Sequence, residues 1–309
     1  MKYFLIINPK SRNERSRKRF TEILEEFRKR KTDFDHVFVS SYASIRAESE
    51  YANRKKYDAI IAVGGDGTIN ATINGFYNED GNRISRARFG VIYTGTSPDF
   101  CKSYGIPLDQ EKAISLLFEH RIRHIRTGRI KFRNSKEPGE TEIRMFACCA
   151  NIGLGAGVAS VSNKIRKYTG DFAGTLIAVL WNLIANGSRE MIVSTDGIPA
   201  PISRVINISA GRTKYIASGI KVSEGIPDDD DRLYLLTAKN ISVKNLPRLL
   251  YQVYTGKFTS PETLEFKYAR NIGFQSLEGP AGVEFDGDAA GFLPCTINLA
   301  PDPLDVFVG

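Results

Sequence analysis

The chain has no long hydrophobic run and no Cys-x-x-Cys pair, and each absence excludes a class of protein. Its longest apolar stretch, residues 175–185, is well short of the ~20 residues that a membrane-spanning helix needs. Its first apolar run, residues 3–8, is far too short for a signal-peptide core and indicates a first strand. The four cysteines favour reduced core thiols. We therefore expect a cytoplasmic protein that does not cross a membrane.

Several ligand-binding signatures are missing as well. The chain contains no Gly-x-x-x-x-Gly-Lys-Ser/Thr loop for phosphates. His120 and His124 lie four residues apart, but the segment between them fits a strand, so we predict no metal site there. Residues 153–157 imitate a dinucleotide fingerprint, but Val158 occupies its sixth position. We therefore predict a packing turn or a wall of the substrate site.

Length and charge narrow the possibilities further. The 309 residues are more than one hydrophobic core comfortably holds, which predicts two domains. A hydrophobic fraction of 42% and a charged fraction of 25% are those of a globular chain. The net charge of +8 suits a nucleic acid, an anionic membrane surface or a phosphate-bearing substrate, and alone it does not choose among them.

The hydrophobic pattern changes near residue 127. Up to residue 119, short apolar runs alternate with stretches of helical spacing, which predicts a parallel sheet covered by helices, one of them ending near Gly81. From about residue 121, longer alternating runs predict antiparallel strands, with helices around residues 172–185 and 246–254. We therefore expect an α/β domain over residues 1–126 and a mainly β domain over residues 127–299. The tail, residues 300–309, could pack back on the first domain.

The strongest motif is the turn Gly-Gly-Asp-Gly-Thr at residues 64–68, between a buried apolar run and the start of a helix. Its three glycines let the backbone approach a ligand closely, so that N–H groups and the helix N-terminus can hold phosphate oxygens. A carboxylate at Asp66 would repel phosphate unless a metal ion or its bound water lay between them. The turn therefore indicates a nucleotide bound with Mg²⁺.

This turn and the segments around it resemble the catalytic domain of diacylglycerol kinases, sphingosine kinases and bacterial lipid kinases. Residues 64–70, Gly-Gly-Asp-Gly-Thr-Ile-Asn, carry the likeness most specifically. The segments that follow that family's order are Asn8-Pro9, Gly95-Thr96 with Asp99-Phe100, residues 151–155, the acidic run before Leu233, and Asp286-Gly287-Asp288. The likeness covers nearly the whole chain.

The resemblance implies both a fold and a reaction. The fold is an N-terminal α/β three-layer nucleotide-binding domain and a C-terminal β-sandwich that receives a lipid, with ATP and Mg²⁺ in the cleft between them. The reaction is ATP-dependent phosphorylation of a hydroxyl on a diacylglycerol-like or related lipid. By this resemblance, the ATP contacts are Ser40, Gly64, Gly65, Asp66, Gly67, Thr68, Ile69, Asn70 and Thr96.

The resemblance also implies a metal loop and a base in the second domain. Residues 227–232 resemble the family's Mg²⁺ loop, in which Asp230 would supply its carboxylate and Pro227 and Arg232 their backbone carbonyls. Asp288 matches the family's proton acceptor for the lipid hydroxyl, and with Asp66 it forms the predicted catalytic pair. The Asp286-Gly287 pair also fits a hairpin turn.

The chain departs from the family's pattern at four places. Arg12 lies in the segment where a glycine usually follows Asn-Pro, and Pro98 replaces an asparagine. Asp231 occupies a glycine position of the metal loop, and Asp288 is one methylene shorter than the usual glutamate. These departures keep open a lipid-binding regulatory protein whose kinase site has decayed.

A soluble-metabolite kinase like NAD kinase is a further alternative, because it shares a Gly-Gly-Asp-Gly-Thr turn. No segment like Gly-Ser-Thr-Ala-Tyr follows the turn, which counts against it. As partners we expect ATP, a lipid acceptor and peripheral contact with an anionic membrane surface, and no nucleic acid. The sequence leaves the acceptor lipid and the oligomeric state open.

Overall fold

The structure, a computed structural model, divides into two compact units, Met1–Thr127 with Ala300–Gly309 and Gly128–Leu299. It describes residues 1–10, 15–134, 139–153, 187–216, 220–222, 226–241, 243–245, 248, 251–252, 255, 262–286 and 288–309. The helix predicted around residues 172–185 and the turn at 154–157 lie outside these residues, and so does most of the helix predicted at 246–254.

Helices and strands follow one another in a different order in the two units. In the first unit they are β1 (Lys2–Ile7), α1 (Arg15–Lys29), β2 (Asp33–Phe38), α2 (Tyr42–Arg54), β3 (Ala59–Gly64), α3 (Asp66–Asn74), β4 (Arg88–Tyr93), α4 (Asp99–Tyr104), α5 (Gln110–Glu119) and β5 (Ile122–Ile125). In the second they are β6 (Gly128–Asn134), β7 (Thr141–Phe146), β8 (Cys149–Gly153), β9 (Arg189–Thr195), β10 (Ile198–Gly211), β11 (Tyr215–Ile216), β12 (Ile220–Lys221), β13 (Leu233–Lys239), a 3₁₀ turn (Val243–Asn245), β14 (Leu264–Ala269), β15 (Ile272–Ser276), β16 (Gly282–Phe285) and β17 (Asp288–Leu299). Strand β18 (Leu304–Phe307) returns to the first unit.

The first unit is built on a six-stranded sheet in the order β2-β1-β3-β4-β18-β5. Its strands run parallel except β5, which is antiparallel to β18. Every residue of β3 is buried, as expected for a strand covered on both faces. Helices α1 and α5 pack on one set of buried side chains, including Leu5 and Ile61, while α2 and α3 contact β3 and each other. This is the three-layer α/β domain that the sequence predicted.

Helix α3 is shorter than predicted. It ends at Asn74, because Gly75 packs so closely on α2 that an added Cβ would lie 2.6 Å from the Arg46 carbonyl oxygen. The Asn53 Nδ2 donates to the Gly75 carbonyl oxygen at 3.1 Å. The expected end near Gly81 is therefore wrong, since packing against α2 ends the helix earlier.

The second unit is β-rich and antiparallel, as expected. Its long strand β10 pairs with β9 along its first half and with β8 and β13 along its second half. The register shifts between Ile202 and Val205, where Arg204 has a φ of 54°. Because β9 also pairs with β15, the ladder β10-β8-β16-β17-β15-β9 closes on itself around an apolar core that includes Phe132 and Phe285.

Two further observations concern the whole described chain. Within it, no helix combines the length and the apolar character needed to cross a bilayer. All four cysteines, Cys101, Cys148, Cys149 and Cys295, are buried, and none of them forms a disulfide.

Candidate active site

Four adjacent parallel strands end at one edge of the first sheet. Ser40 follows β2, Asn8 follows β1, Gly65 follows β3, and Gly95 with Thr96 follows β4. Open parallel sheets bind their ligands beyond the carboxyl ends of the strands. The first unit therefore brings the residues predicted to contact ATP to the edge where such a sheet binds ligands.

The glycine turn forms the junction between β3 and α3. Gly65 caps the helix, and its carbonyl oxygen accepts the Thr68 N–H at 2.9 Å and the Ile69 N–H at 3.0 Å. The first N–H groups of any helix have no partner within that helix and form the positive end of its dipole. The exposed Gly67 lies in this first turn. The turn therefore presents backbone donors of the kind that bind phosphate.

Close backbone approaches explain the glycines. A Cβ on Gly64 would overlap the Thr68 side chain, which packs back on the end of β3. A Cβ on Gly95 would lie 2.6 Å from the Gly65 Cα and 2.7 Å from the Tyr93 hydroxyl. The turns after β3 and β4 thus touch through glycines, so that no side chain separates Gly65 from Gly95.

Tyr93, the last residue of β4, fixes the acid of the turn. Its hydroxyl donates to the Asp66 Oδ2 at 3.0 Å. Burial, together with the adjacent Asp66 carboxylate, raises the pKa of Tyr93 well above its usual range, so the phenol remains a donor. The same causes raise the pKa of Cys101. Sequence reasoning missed Tyr93; the available signal was its position at the end of the strand next to β3.

Three of the predicted ATP contacts are buried supports of the turn. Thr68, Ile69 and Asn70 are each no more than 2% exposed. The Thr68 Oγ1 accepts from the Asn8 Nδ2 at 3.0 Å, which ties the Asn-Pro segment after β1 to the turn. The Asn74 Nδ2 donates to the Asn70 carbonyl oxygen at 2.9 Å. These side chains hold the loop, while the exposed Gly67 lies towards solvent.

The second unit contains the hairpin predicted to carry the base. Asp288 begins β17 and pairs with Phe285, and its side chain lies outside the described part. The neighbouring Asp286 carboxylate accepts the backbone N–H groups of Ala147 (2.5 Å), Cys148 (2.8 Å) and Cys149 (3.2 Å). Asp286 therefore fastens the β16–β17 turn to the β7–β8 connection. Sequence reasoning counted Asp286 in the family's Asp-Gly-Asp segment and in a turn, but gave it no role of its own.

One acid of the same hairpin is buried. Glu284 on β16 is 5% exposed, and its Oε1 accepts from the Asn151 Nδ2 at 3.4 Å. The Ser209 hydroxyl in turn donates to the Asn151 Oδ1 at 2.5 Å. Sequence reasoning did not single out Glu284, although it lies only two residues before the predicted Asp286-Gly287 turn.

The predicted metal loop already has a cation on its carbonyls. The buried Arg212 guanidinium donates to the carbonyl oxygens of Pro227, Asp230 and Arg232. The Asp230 carboxylate is bonded by the Arg232 side chain, with Nη2–Oδ2 at 2.7 Å. Asp231, at the family's glycine position, pairs with Arg270. This donor set does not fit a resident metal ion.

The remaining departures from the family's pattern are local. Pro98 is the N-cap of α4 and makes no side-chain cap, as its lack of an amide requires. Arg12 lies outside the described residues.

An open depression of about 720 Å³ lies at the opposite, amino-terminal edge of the first sheet, near Met1, Asp58 and Arg88, so it does not belong to the glycine turn.

Comparison with known proteins agrees with this arrangement. Residues 2–130 match the family described as diacylglycerol kinase catalytic domain. Residues 149–308 match the family described as YegS C-terminal NAD kinase beta sandwich-like domain. Fold and phosphate turn thus define a kinase, an enzyme that takes a phosphoryl group from a nucleotide. The second of these matches spans more than half of the chain, so the chain belongs to the family described as YegS C-terminal NAD kinase beta sandwich-like domain.

Its relatives include named enzymes at low identity. A diacylglycerol kinase of Staphylococcus aureus (strain bovine RF122 / ET3-1) is 24% identical, over 98% of this chain and 91% of that protein. One of Staphylococcus carnosus (strain TM300) is 23% identical, over 98% and 94%.

Solved structures share the fold. A diacylglycerol kinase structure from Bacillus anthracis str. Sterne has a TM-score of 0.70 and 17% identity, covering 100% of this chain and 97% of that one. Yeast NADH kinase complexed with NADH has a TM-score of 0.60 and 10% identity, covering 100% and 84%.

Proposed function

We propose that this protein is an ATP-dependent kinase that transfers the γ-phosphoryl group to a hydroxyl of a diacylglycerol-like lipid. The observation that carries the proposal is the Asp66 carboxylate, held by Tyr93 at 3.0 Å in the first turn of α3. An acid beside phosphate-binding N–H groups suits a nucleotide that arrives with its Mg²⁺. The match of residues 2–130 to the diacylglycerol kinase catalytic domain supports the phosphoryl transfer, and the names of the staphylococcal relatives support the lipid acceptor.

In this proposal the first unit binds and orients ATP. Backbone N–H groups of residues 65–67 would donate to the phosphate oxygens, and the Asp66 carboxylate would attract the Mg²⁺ that accompanies ATP as substrate. Ser40 and Thr96 flank the turn from the ends of β2 and β4 and supply further contacts. Phosphoryl transfer depends mainly on such positioning and charge neutralisation, since it needs little covalent help from the protein.

The acceptor hydroxyl must lose its proton, and we assign that role to Asp288. The three N–H bonds to Asp286 restrain the hairpin in which Asp288 lies, so they would limit the positions that its carboxylate can take. Glu284 is the alternative base within the hairpin, because it is almost fully buried, whereas the Asp286 carboxylate is already bonded to three backbone N–H groups. Both residues are carboxylates on strands, which are better placed for precise positioning than acids on loops.

A lipid acceptor also requires access to a membrane surface. The net charge of +8 supports reversible electrostatic docking on anionic lipids. Such docking is peripheral. It explains the net positive charge of the chain without a nucleic-acid partner.

The test is a phosphorylation assay with γ-labelled ATP. Purified protein is given diacylglycerol, other long-chain alcohols and sphingosine in mixed micelles, and NAD in solution. We expect label in the lipid extract with diacylglycerol, its loss in Asp66→Ala, and its retention in Asp33→Ala. Asp33 is a suitable control because it is an exposed acid at the start of β2, at the opposite edge of the same sheet.

The alternatives give different results in the same assay. Label on NAD and none on lipid would identify a soluble-metabolite kinase. Binding of lipid vesicles without transfer to any acceptor would identify a regulatory protein whose kinase site has decayed. If Asp66→Ala and the native protein transferred label equally, Asp66 and the glycine turn would have no role in the reaction.

A further inference from the structure

Arg212 makes an unusual set of contacts with the acidic loop of the second unit. It follows β10 directly and is 8% exposed. Its Nη1 donates to the carbonyl oxygens of Asp230 at 2.6 Å and of Arg232 at 2.7 Å, and its Nη2 donates to that of Pro227 at 2.7 Å. One guanidinium thus gathers three carbonyl oxygens from a six-residue loop.

These bonds have the geometry of strong cation–dipole contacts. Charge-assisted N–H···O bonds are typically about 2.7 to 2.9 Å long, and the planar fork of arginine presents five donors in a fixed arrangement. Carbonyl oxygens of a loop are also the hard ligands that Mg²⁺ or Ca²⁺ would take, at about 2.0 to 2.6 Å. A divalent ion on the same oxygens would have to displace the guanidinium or lie against its positive charge.

Two aspartates of the loop are also engaged with arginines. The Asp230 carboxylate accepts from the Arg232 Nε at 3.0 Å and Nη2 at 2.7 Å, and from the Arg232 backbone N–H at 2.9 Å. These bonds hold the pKa of Asp230 at about 2, so its charge is permanent at neutral pH. Asp231 accepts from the Arg270 Nε at 2.7 Å. The carboxylate predicted to bind metal is therefore turned to a neighbouring side chain.

We propose that Arg212 is the permanent cation of this loop and replaces a resident divalent ion there. The loop is held closed by a side chain of the chain itself, so its order does not depend on metal supply. The inference does not rest on the proposed kinase reaction, because it concerns the folding of the loop alone.

The first test uses the native protein without nucleotide. Its melting temperature is measured in EDTA and in 10 mM MgCl₂ or CaCl₂ at equal ionic strength, and Mn²⁺ binding is followed by electron paramagnetic resonance. We expect melting temperatures within about 1 °C of each other and no stoichiometric Mn²⁺ site. A clear rise with Mg²⁺ or Ca²⁺ that disappears in Asp230→Asn would overturn the proposal.

The second test removes the guanidinium. Arg212→Ala leaves three loop carbonyls without their donor, so its melting temperature should fall by several degrees. Arg270→Ala is the matched control, because it removes an exposed arginine that pairs with Asp231 of the same loop, and it should melt within about 1 °C of the native protein. A fall in Arg212→Ala that Mg²⁺ or Ca²⁺ partly reverses would show that the guanidinium occupies a cation site.

A second variant tests the guanidinium if Arg212→Ala does not fold. Arg212→Lys keeps the charge but has a single ammonium group, which lacks the planar fork, so it should lie between the native protein and Arg212→Ala. Native melting of Arg212→Lys or of Arg212→Ala would refute the role of the fork. All readouts are melting and metal binding, so a failure of the kinase proposal would leave them unchanged.

Discussion

Replacing Asp66 should separate the chemistry of the glycine turn from its folding. Asp66→Asn keeps the side-chain shape and an oxygen that can accept from the Tyr93 hydroxyl, but it removes the charge. We expect turnover to fall by at least ~10³-fold, equivalent to about 4 kcal/mol of transition-state stabilisation. Tyr93→Phe is the complementary change, because it keeps the charge and removes the donor. It should reduce turnover by about 10-fold.

The expected cost in stability is smaller than the cost in activity. A hydrogen bond to a charged group is worth about 1.5 to 3 kcal/mol and a neutral one about 1, so the weaker bond in Asp66→Asn costs about 1 kcal/mol. Loss of an acid from the first turn of α3 adds about 0.3 to 1 kcal/mol. The total, about 1 to 2 kcal/mol, is below the 2 to 5 kcal/mol of a large core truncation such as Ile61→Ala, where the side chain is fully buried.

Melting curves and steady-state turnover with the best acceptor measure the two quantities side by side. The reasoning fails if Asp66→Asn destabilises as much as Ile61→Ala, because the acid would then serve the fold. It also fails if Asp66→Asn keeps more than a tenth of native turnover. If Tyr93→Phe were as inactive as Asp66→Asn, the essential group would be the Tyr93 phenol.

Three further predictions follow from other parts of the chain. Asp288→Asn should lower turnover by ~10² to 10⁴-fold while its ATP affinity stays nearly unchanged. Asp288→Glu should keep substantial activity. If Asp288→Asn turned over at the native rate, Glu284 would be the next candidate for the base. Co-sedimentation of the protein with anionic vesicles should weaken between 0.1 M and 1 M salt, because the Debye length falls from ~10 Å to ~3 Å. Binding that does not change with salt would contradict electrostatic docking. Truncation after residue 299 removes β18, whose Leu304, Val306 and Phe307 are fully buried. At about 1.5 to 3 kcal/mol per side chain, this loss of burial approaches the whole stability of a domain, so the first unit of the truncated chain should not fold. ATP binding by the truncated chain at native affinity would refute the role of β18.

The sequence predicted those features that local patterns determine. The buried run of β3, the glycine turn and the start of α3 are contiguous, so spacing and residue type suffice to predict them. The family resemblance then supplied candidate residues from separate segments. The roles of Asp288, Ser40 and Thr96 stay predictions, because they concern ligands.

Contacts between distant segments could not be predicted in the same way. Tyr93 reaches Asp66 because β4 pairs with β3, with Tyr93 opposite Gly64. Arg212 reaches the loop at 227–232 because β10 and β13 are neighbours, and nothing in the local sequence indicates where its side chain ends. The early end of α3 likewise depends on α2. Each of these features requires the register of the sheet or the packing of a helix.

The position of β18 also constrains the order in which the protein can be completed during synthesis. Residues 1–125 leave the ribosome first, but the place between β4 and β5 stays empty until residues 304–307 have been made. Once the intervening segment has folded, it brings β18 close to β5, because the first and last residues of that segment, Gly128 and Leu299, are paired across β6 and β17. Closing a loop then costs much less entropy than joining the ends of an unfolded chain. A nascent or truncated chain would therefore lack a complete first unit until the second unit has formed.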